Sequence, residues 1–368
     1  MQYKTLDSLC KVASGGTPSR SKKEYWDGGD IPWIKIGNIK SKVVSNADEY
    51  ITEAGLNNSS AKLFKKGTIL YTIFATLGEV GILDFDACTN QAIAGISIEK
   101  PEEITTDYLY YYLKSKKAEV NQIGRGVAQN NINLSILRKF SIPLRDIEDQ
   151  KTIVGSLNKV ESIIEKQKRQ LERLDELIKA RFVEMFGDKN FETRPFKDVC
   201  DELFAGGDIK KDRTVKEADS DHPYAVFTNG EKDGGLYGYT DIARVIKPSI
   251  TISGRGIIGF CLVRTEPFYP AIRLIVATPK ENLVTPSYLK YFIDSKDYNG
   301  RGASIPQLTI PMIKDEPVPI PPIELQNQFE TFIAQVDKSK FALSNELAMG
   351  YFYVRLIHDR IVHGRVDL

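Results

Sequence analysis

Histidine is scarce in this 368-residue chain: His222, His358 and His363 are all it has. His-Glu-x-x-His, a paired Cys/His set and Gly-x-Ser-x-Gly are all missing, so metal-assisted hydrolysis and serine chemistry lack their parts. Asn-Pro-Pro-aromatic is missing too, which a methyltransferase acting on exocyclic amino groups would be expected to carry. The four cysteines, Cys10, Cys88, Cys200 and Cys261, stand far apart with no Cys-x-x-Cys pair. Disulfides and a thiolate metal site are therefore not expected, and a cytoplasmic location is. In that setting the sequons at Asn57, Asn58 and Asn133 carry no meaning. No apolar run reaches the ~18 residues of a membrane span, and the first residues lack the hydrophobic core of a signal peptide. A strong charge balance is also lacking: 50 Lys and Arg against 49 Asp and Glu leave a net charge of +1. A free-standing nucleic-acid binder is usually more basic. If DNA is the target, the cations must gather on one face or a partner must share the phosphates.

What is present is a duplication. Arg125-Gly126 recurs as Arg301-Gly302 and Ile147-Glu148-Asp149-Gln150 as Ile323-Glu324-Leu325-Gln326, both at an offset of 176 residues. Tyr108-Leu109, Tyr111 and Ser115-Lys116 return as Tyr288-Leu289, Tyr291 and Ser295-Lys296 at an offset of 180, and Leu9-Cys10 answers Val199-Cys200 at 190. Solenoid repeats run ~20–50 residues, so the unit repeated here is a whole domain followed by a long helix. The division is a first module over 1–146, a spacer helix over 147–187, a second module over 188–322 and a second long helix over 323–368.

Each module reads as α+β. Short β-branched runs bounded by turn residues predict strands at Asp30–Ile36, Gly67–Ile73 and Ile93–Ile98, and again at Ser249–Ser253, Phe260–Val263 and Leu274–Ala277. Short helices are expected at Leu6–Lys11, Thr106–Lys116 and Leu134–Lys139. Residues 147–186 contain no proline and a single glycine. Their apolar or near-apolar residues Ile153, Leu157, Val160, Ile164, Gln167, Leu171, Leu174 and Ile178 alternate three and four apart, with Met185 one heptad further on, a heptad seam. Forty residues make a rod of ~60 Å. At an offset of 176 the seam returns as Phe329, Ile333, Val336, Leu343, Leu347 and Val354. Neither helix buries such a stripe alone, so the two should pair, antiparallel.

Gly254-Arg-Gly256-Ile-Ile-Gly259 matches the dinucleotide fingerprint, yet the residues after it are strand-like and stop at a proline where a helix is required. It reads as a turn between strands. Trp33, in Ile31-Pro-Trp-Ile-Lys35, reads as core. The run Ser14-Gly-Gly-Thr17-Pro-Ser19-Arg20-Ser-Lys22-Lys23 offers amides, hydroxyls and cations suited either to phosphate contact or to a solvated turn. The loop Ile123–Ile132 holds Arg125, Gln129, Asn130 and Asn131, side chains that address guanine and adenine edges by paired hydrogen bonds. Its counterpart keeps Arg301 and Gln307 and changes the rest. Arg255 joins the second set. Thr17, Ser19, Arg20, Lys22, Lys23, Lys35, Lys210 and Lys211 are the expected phosphate contacts.

These pieces, in this order and twice over, resemble the specificity subunit of a type I restriction–modification system. The resemblance rests on Ser14–Ser19 with Ile31-Pro-Trp33, Thr89-Asn-Gln91, Gly124-Arg-Gly126, Ile142-Pro143 and the Glu148/Gln150 pair. In the second copy it rests on Ser253–Gly259, Gly300-Arg-Gly302, Ile320-Pro-Pro322 and Glu324/Gln326. The second module lacks the Thr-Pro-Ser of the first, having Ala205-Gly-Gly-Asp208 instead. The resemblance implies two target-recognition domains related by pseudo-two-fold symmetry and joined by an antiparallel coiled coil, each reading half of a bipartite double-stranded DNA site. It further implies a bacterial or archaeal chain without an active site. Two methyltransferase subunits using S-adenosylmethionine and restriction subunits using ATP and Mg would supply the chemistry. The half-sites would lie on the order of one helical turn apart, ~34–36 Å. Two other readings are a stand-alone enzyme acting on nucleic acid and a coiled-coil scaffold that binds only proteins.

Overall fold

The computed structural model describes residues 2–125, 131–187, 189–298 and 307–363. The chain forms two compact units, Met1–Lys168 with Asn345–Leu368, and Arg169–Ser344. Each unit thus holds one strand-rich module and a stretch of both long helices, which run Ile147–Phe186 and Ile323–His363.

In the first unit, a five-stranded sheet runs in the order Cys10–Ser14, Ile93–Ile98, Ile69–Thr72, Val80–Leu83 and Val43–Val44. A three-stranded sheet of Glu49–Ile51, Ile31–Ile34 and Cys88–Thr89 accompanies it, and Gln2–Thr5 pairs with Ser141–Leu144. The core gathers Leu6, Leu9, Ile69, Tyr71, Tyr108 and Leu109 with Val154 and Leu157 of the first long helix and Ile361 of the second. Gly350 meets Ile164 so closely that a Cβ there would lie 2.9 Å from its side chain. Gln167 donates to Glu346 at 3.0 Å. Partner numbers fall as seam numbers rise, so within this unit the helices are antiparallel.

The second unit has a four-stranded sheet in the order Cys200–Ala205, Ile275–Pro279, Ser249–Ile252 and Cys261–Arg264. A second four-stranded sheet is Thr214–Val215, Leu236–Thr240, Tyr224–Phe227 and Phe268–Pro270. Its core joins Phe196, Val199, Tyr288 and Leu289 to Ile178, Phe182 and Phe186 of the first long helix and Phe329 and Val336 of the second. Lys340 pairs with Asp175 at 2.6 Å, and the Arg181 guanidinium stands 5.8 Å from the Phe332 ring centre, antiparallel again.

The heptad spacing located the inward faces of both helices. Leu157, Ile164, Ile178 and Val336 are buried, while Val160, Leu171, Leu174, Ile333, Leu343, Leu347 and Val354 are half-buried. Packing decides the detail: Leu174 and Ile333 sit at the margin of the second unit's core and Val354 at the margin of the first's.

The repeated tetrapeptides acquire a physical reason. The buried Gln150 amide accepts from the Thr105 backbone N–H at 2.9 Å and donates to the carbonyls of Glu103 at 2.8 Å and Arg145 at 3.0 Å. Gln326 does the same with Thr285 N–H at 2.8 Å and the carbonyls of Leu283 and Pro321 at 2.9 Å. Each threonine hydroxyl in turn caps the short helix that follows it, accepting from Tyr108 N or Tyr288 N. Those tyrosines donate to Pro143 O at 2.8 Å and Pro319 O at 2.9 Å. One buried glutamine per unit therefore ties the start of a long helix to its module through three groups that would otherwise be buried unpaired.

Three local expectations need correction. The helix expected at Leu6–Lys11 closes at Leu9, and Cys10 onward is strand, because Cys10–Ser14 pairs along Ala94–Ile98. A second helical stretch, Lys117–Arg125, follows Thr106–Ser115, so the backbone of Arg125 is helical where a loop was expected. The strand expected at Leu274–Ala277 is Ile275–Pro279, shifted because Ile272 and Arg273 form a turn with positive φ.

Candidate nucleic-acid interface

The turns that carry the candidate readers are fixed by the sheet beneath them. In the first unit, Thr72 N donates to Glu79 O at 3.0 Å and Gly78 N to Thr72 O at 3.0 Å, closing the turn between Ile69–Thr72 and Val80–Leu83. Ile132 N donates to Ile73 O at 3.0 Å, which fastens the chain arriving from the Arg125 segment onto that turn. Asn131, half-buried, bridges to Phe74. Gly15 and Gly16 press against the turn before Ile93: Gly15 N donates to Ile93 O at 3.0 Å and Gly16 N to Thr89 O at 2.9 Å. A Cβ on Gly15 would stand 2.0 Å from the Thr89 hydroxyl and one on Gly16 2.3 Å from Ser60, so this pair serves close approach of backbone.

Beyond the glycines, Thr17 bonds to the exposed Gln91, and the exposed Ser19 shares a hydrogen bond with Ser21 at 2.9 Å. The Arg20 guanidinium lies 3.6 Å from the Trp26 ring centre and 4.9 Å from that of Trp33. Trp33 is buried and donates to Gly16 O at 3.0 Å. Arg20 and Lys35 both pair with Glu49. The Lys35 hydrogen bond, followed by that from Arg20, holds the Glu49 carboxyl below the usual carboxylate range. Two of the expected phosphate-binding cations thus share one carboxylate, which removes about half of their charge at long range. Lys22 donates to the Tyr25 hydroxyl at 2.9 Å, and that bond raises its ammonium above the ordinary lysine value. Lys23 is exposed.

In the second unit, Arg255 and Gln307 are brought together, Nη2 to Oε1 at 3.4 Å, across 52 residues of sequence. Leu308 N donates to Gly254 O at 2.9 Å and Gly254 N donates to Asn229 Oδ1 at 2.8 Å. Asn229 in turn donates to Ile272 O. Lys210 and Lys211 are exposed at the start of the short helical turn Lys211–Arg213, where Arg213 is paired with Asp241. The turn Gly254–Gly259 lies between antiparallel strands Ser249–Ile252 and Cys261–Arg264, with no helix after it, so it is not a dinucleotide cradle. Gln129, Asn130 and Arg301 lie outside the described residues, and Arg125 is described by its backbone alone.

Sequence reading missed Phe74 and Ile272, and quoted Gln91 within Thr89-Asn-Gln91 without naming it as a site residue. Phe74 is 46% exposed and Ile272 42% exposed, both on turns beside named candidates. The only signal for Phe74 and Ile272 was a large apolar residue near glycine or polar turn residues, which is weak without the fold. All four cysteines are buried, and burial pushes the thiols of Cys10 and Cys200 up to about 12 and that of Cys88 up to about 11, far from a reactive thiolate. Among the described residues there is no cluster of His, Cys, Asp and Glu able to hold a metal ion, and no helix is long and apolar enough to cross a membrane.

Comparison with known proteins places this architecture. A family described as "Type I restriction modification DNA specificity domain" matches residues 1–174 and again 188–348. A type I restriction enzyme specificity subunit of Methanocaldococcus jannaschii is 34% identical over 217 residues, 56% of this chain and 50% of that protein. The EcoR124I/EcoR124II specificity subunit of Escherichia coli is 28% identical over 169 residues, 44% of this chain and 41% of its own. The chain thus spans about half the length, or less, of these two curated relatives. Among solved structures, the S subunit of a type I restriction–modification system from M. genitalium covers the whole chain with a TM-score of 0.55 at 16% identity, matched over 96% of its own length. A chain from a study of type I complex assembly reaches 0.66 at 16% identity, covering all of this chain and 98% of its own. Both structures share the fold. The chain belongs to the type I restriction–modification DNA specificity domain family and carries that domain twice.

Proposed function

We propose that this chain is the DNA sequence-recognition subunit of a type I restriction–modification complex, each module reading one half of a bipartite double-stranded site. The observation that carries the reading is the double match to a DNA specificity domain together with two turn clusters of different chemistry on a repeated backbone. Arg125, Gln129, Asn130 and Asn131 are the base readers of the first half-site, and Arg255, Arg301 and Gln307 those of the second. Thr17, Ser19, Arg20, Lys22, Lys23, Lys35, Lys210 and Lys211 contact phosphate. The chain itself is non-catalytic: two methyltransferase subunits bring S-adenosylmethionine and methylate adenine, and restriction subunits bring ATP and Mg. A net charge of +1 accords with partners sharing the phosphate contact. So does the second long helix, where Met349, Phe352 and Leu356 expose an apolar stripe at helical spacing.

Long-read methylation profiling of cells expressing the chain with its methyltransferase subunit tests this. The expected result is one bipartite methylated motif that vanishes when the chain is deleted. Methylation or cleavage by the purified chain alone would establish the stand-alone enzyme instead. A complex without salt-dependent DNA affinity would establish the protein-binding scaffold. Within the motif, Gln129→Ala with Asn130→Ala is expected to relax one half and spare the other.

A further inference from the structure

The same hydrogen bonds recur in the two modules and align their turns residue by residue. Thr72 N to Glu79 O and Gly78 N to Thr72 O, each 3.0 Å, return as Ser253 N to Phe260 O and Gly259 N to Ser253 O, each 2.9 Å. Ile132 N to Ile73 O returns as Leu308 N to Gly254 O, and Gly15 N to Ile93 O as Gly206 N to Leu274 O. The left-handed residues coincide as well: Ala75 and Gly78, with φ of 62° and 79°, match Gly256 and Gly259, with 72° and 81°. Counting outward from these bonds, Phe74 corresponds to Arg255, Gln91 to Ile272 and Asn131 to Gln307.

At two of those three positions the chemistry diverges, while the third keeps an amide, Asn131 against Gln307. The first module presents an exposed aromatic ring and two amides around a cavity of about 290 Å³, lined by Phe74, Gln91, Ala92, Asn131 and Asn133 among others. The second presents a guanidinium touching an amide, beside an exposed isoleucine. Around Phe74 and Arg255 structural demand does not account for the difference, since the backbone there is shared; at Ile272 the backbone itself departs, being left-handed where Gln91 is not. Ile272 adds a further sign. A β-branched residue with φ of 50° is an outlier, held in place by its N–H bond to Gly207 O at 2.7 Å and by Asn229 on its carbonyl. Strain of this kind collects at binding turns.

Resting on the recognition function above, we propose that these three aligned turn positions determine specificity in both half-sites. Gln91 and Asn131 read an adenine edge while the Phe74 ring meets the methyl group of a thymine. Arg255, oriented by Gln307, reads guanine, and Ile272 makes an apolar contact with a base edge beside it. The pairing follows from base-edge chemistry: amides match the adenine N6/N7 pair, a guanidinium fork matches guanine O6/N7, and apolar groups match the thymine methyl.

The test uses the full chain with its methyltransferase subunit and long-read methylation profiling. The intact complex should show an A·T pair in one half of its motif and a G·C pair in the other. Phe74→Ala and Gln91→Ala should each relax the A·T position of one half, with discrimination falling about tenfold to a hundredfold, and leave the other half intact. Arg255→Ala should do the same at the G·C position of the other half, and Ile272→Ala should loosen its neighbour. A surviving, unaltered half-motif shows that the variant is folded. Should an alanine variant lose all methylation, Gln91→Glu and Arg255→Lys, which keep size or charge but not the hydrogen-bonding pattern, decide the matter by the same readout. Variants that retain the full motif overturn the assignment while leaving the recognition function standing. A wild-type complex without any bipartite motif overturns both.

Discussion

At the foot of each module, where Gln150 and Gln326 hold the long helices, the two units repeat one another donor for donor and acceptor for acceptor. At the turns around Phe74 and Arg255 they share a backbone and almost no chemistry. A buried amide with three partners tolerates no substitute, since each orphaned group costs about 1–3 kcal/mol. An exposed turn side chain costs the fold almost nothing to change. A duplicated domain therefore drifts fastest where it meets solvent, and that is where a ligand would be read.

The contrast can be broken most strongly through the cores. Leu157→Ala should destabilise the first unit and Phe329→Ala the second, by about 2–5 and 3–5 kcal/mol respectively. Hydrogen exchange followed unit by unit should show protection lost on one side only. Equal losses in both units for either variant would mean that the two fold as a single cooperative body. Next in size, Gln150→Ala and Gln326→Ala should cost similar amounts, about 1–3 kcal/mol each, in thermal unfolding. A large inequality would show that the matched hydrogen bonds are not matched in energy.

Acid should separate the units further. His358 packs its ring 6.1 Å from Tyr111, and Phe182 packs 6.1 Å from Tyr291 at the equivalent place in the second unit. Burial first, and then the Lys114 ammonium, push the His358 imidazole down to about 4. Above pH ~6.5 it is neutral folded and unfolded alike. Between ~6.5 and 4 the unfolded chain binds a proton that the folded chain refuses, so stability falls as pH falls. The loss should reach roughly 1–2 kcal/mol by pH 5, in the first unit, and His358→Phe should abolish it. The smallest effect is expected from Glu49→Gln. Stability should change by less than about 1 kcal/mol. Freed from their carboxylate, Arg20 and Lys35 should steepen the salt dependence of DNA binding, read from titrations at several ionic strengths.

The long helices were legible because a period of three and four is a direct record of one buried stripe, from Leu157 to Ile178 and again from Phe329 to Val354. The strands were legible in position but not in partnership: nothing local to Cys88–Thr89 says that it runs parallel beside Ile31–Ile34. The Gln150 and Gln326 repeats were visible, yet their role was not, because it depends on carbonyls 47 and 43 residues away. Among candidate readers, Arg255 and Gln307 were named separately and the fold joins them. Phe74 and Ile272 stayed hidden, since an exposed apolar side chain looks like a core residue until the fold turns it outward, and Gln91 was noted only as part of Thr89-Asn-Gln91 because its partner Thr17 is 74 residues away.

The first unit closes its core with Ile361, more than 200 residues beyond Leu157, whereas the second is built from the continuous stretch Arg169–Ser344. Chains emerge from the ribosome in order and domains fold as they are completed. During synthesis the module made first must wait, one side of its hydrophobic interior uncovered, until the later module has been made and the last helix arrives. The half that starts first is finished last, and a nascent chain stalled after Ser344 would hold one completed unit and one open one.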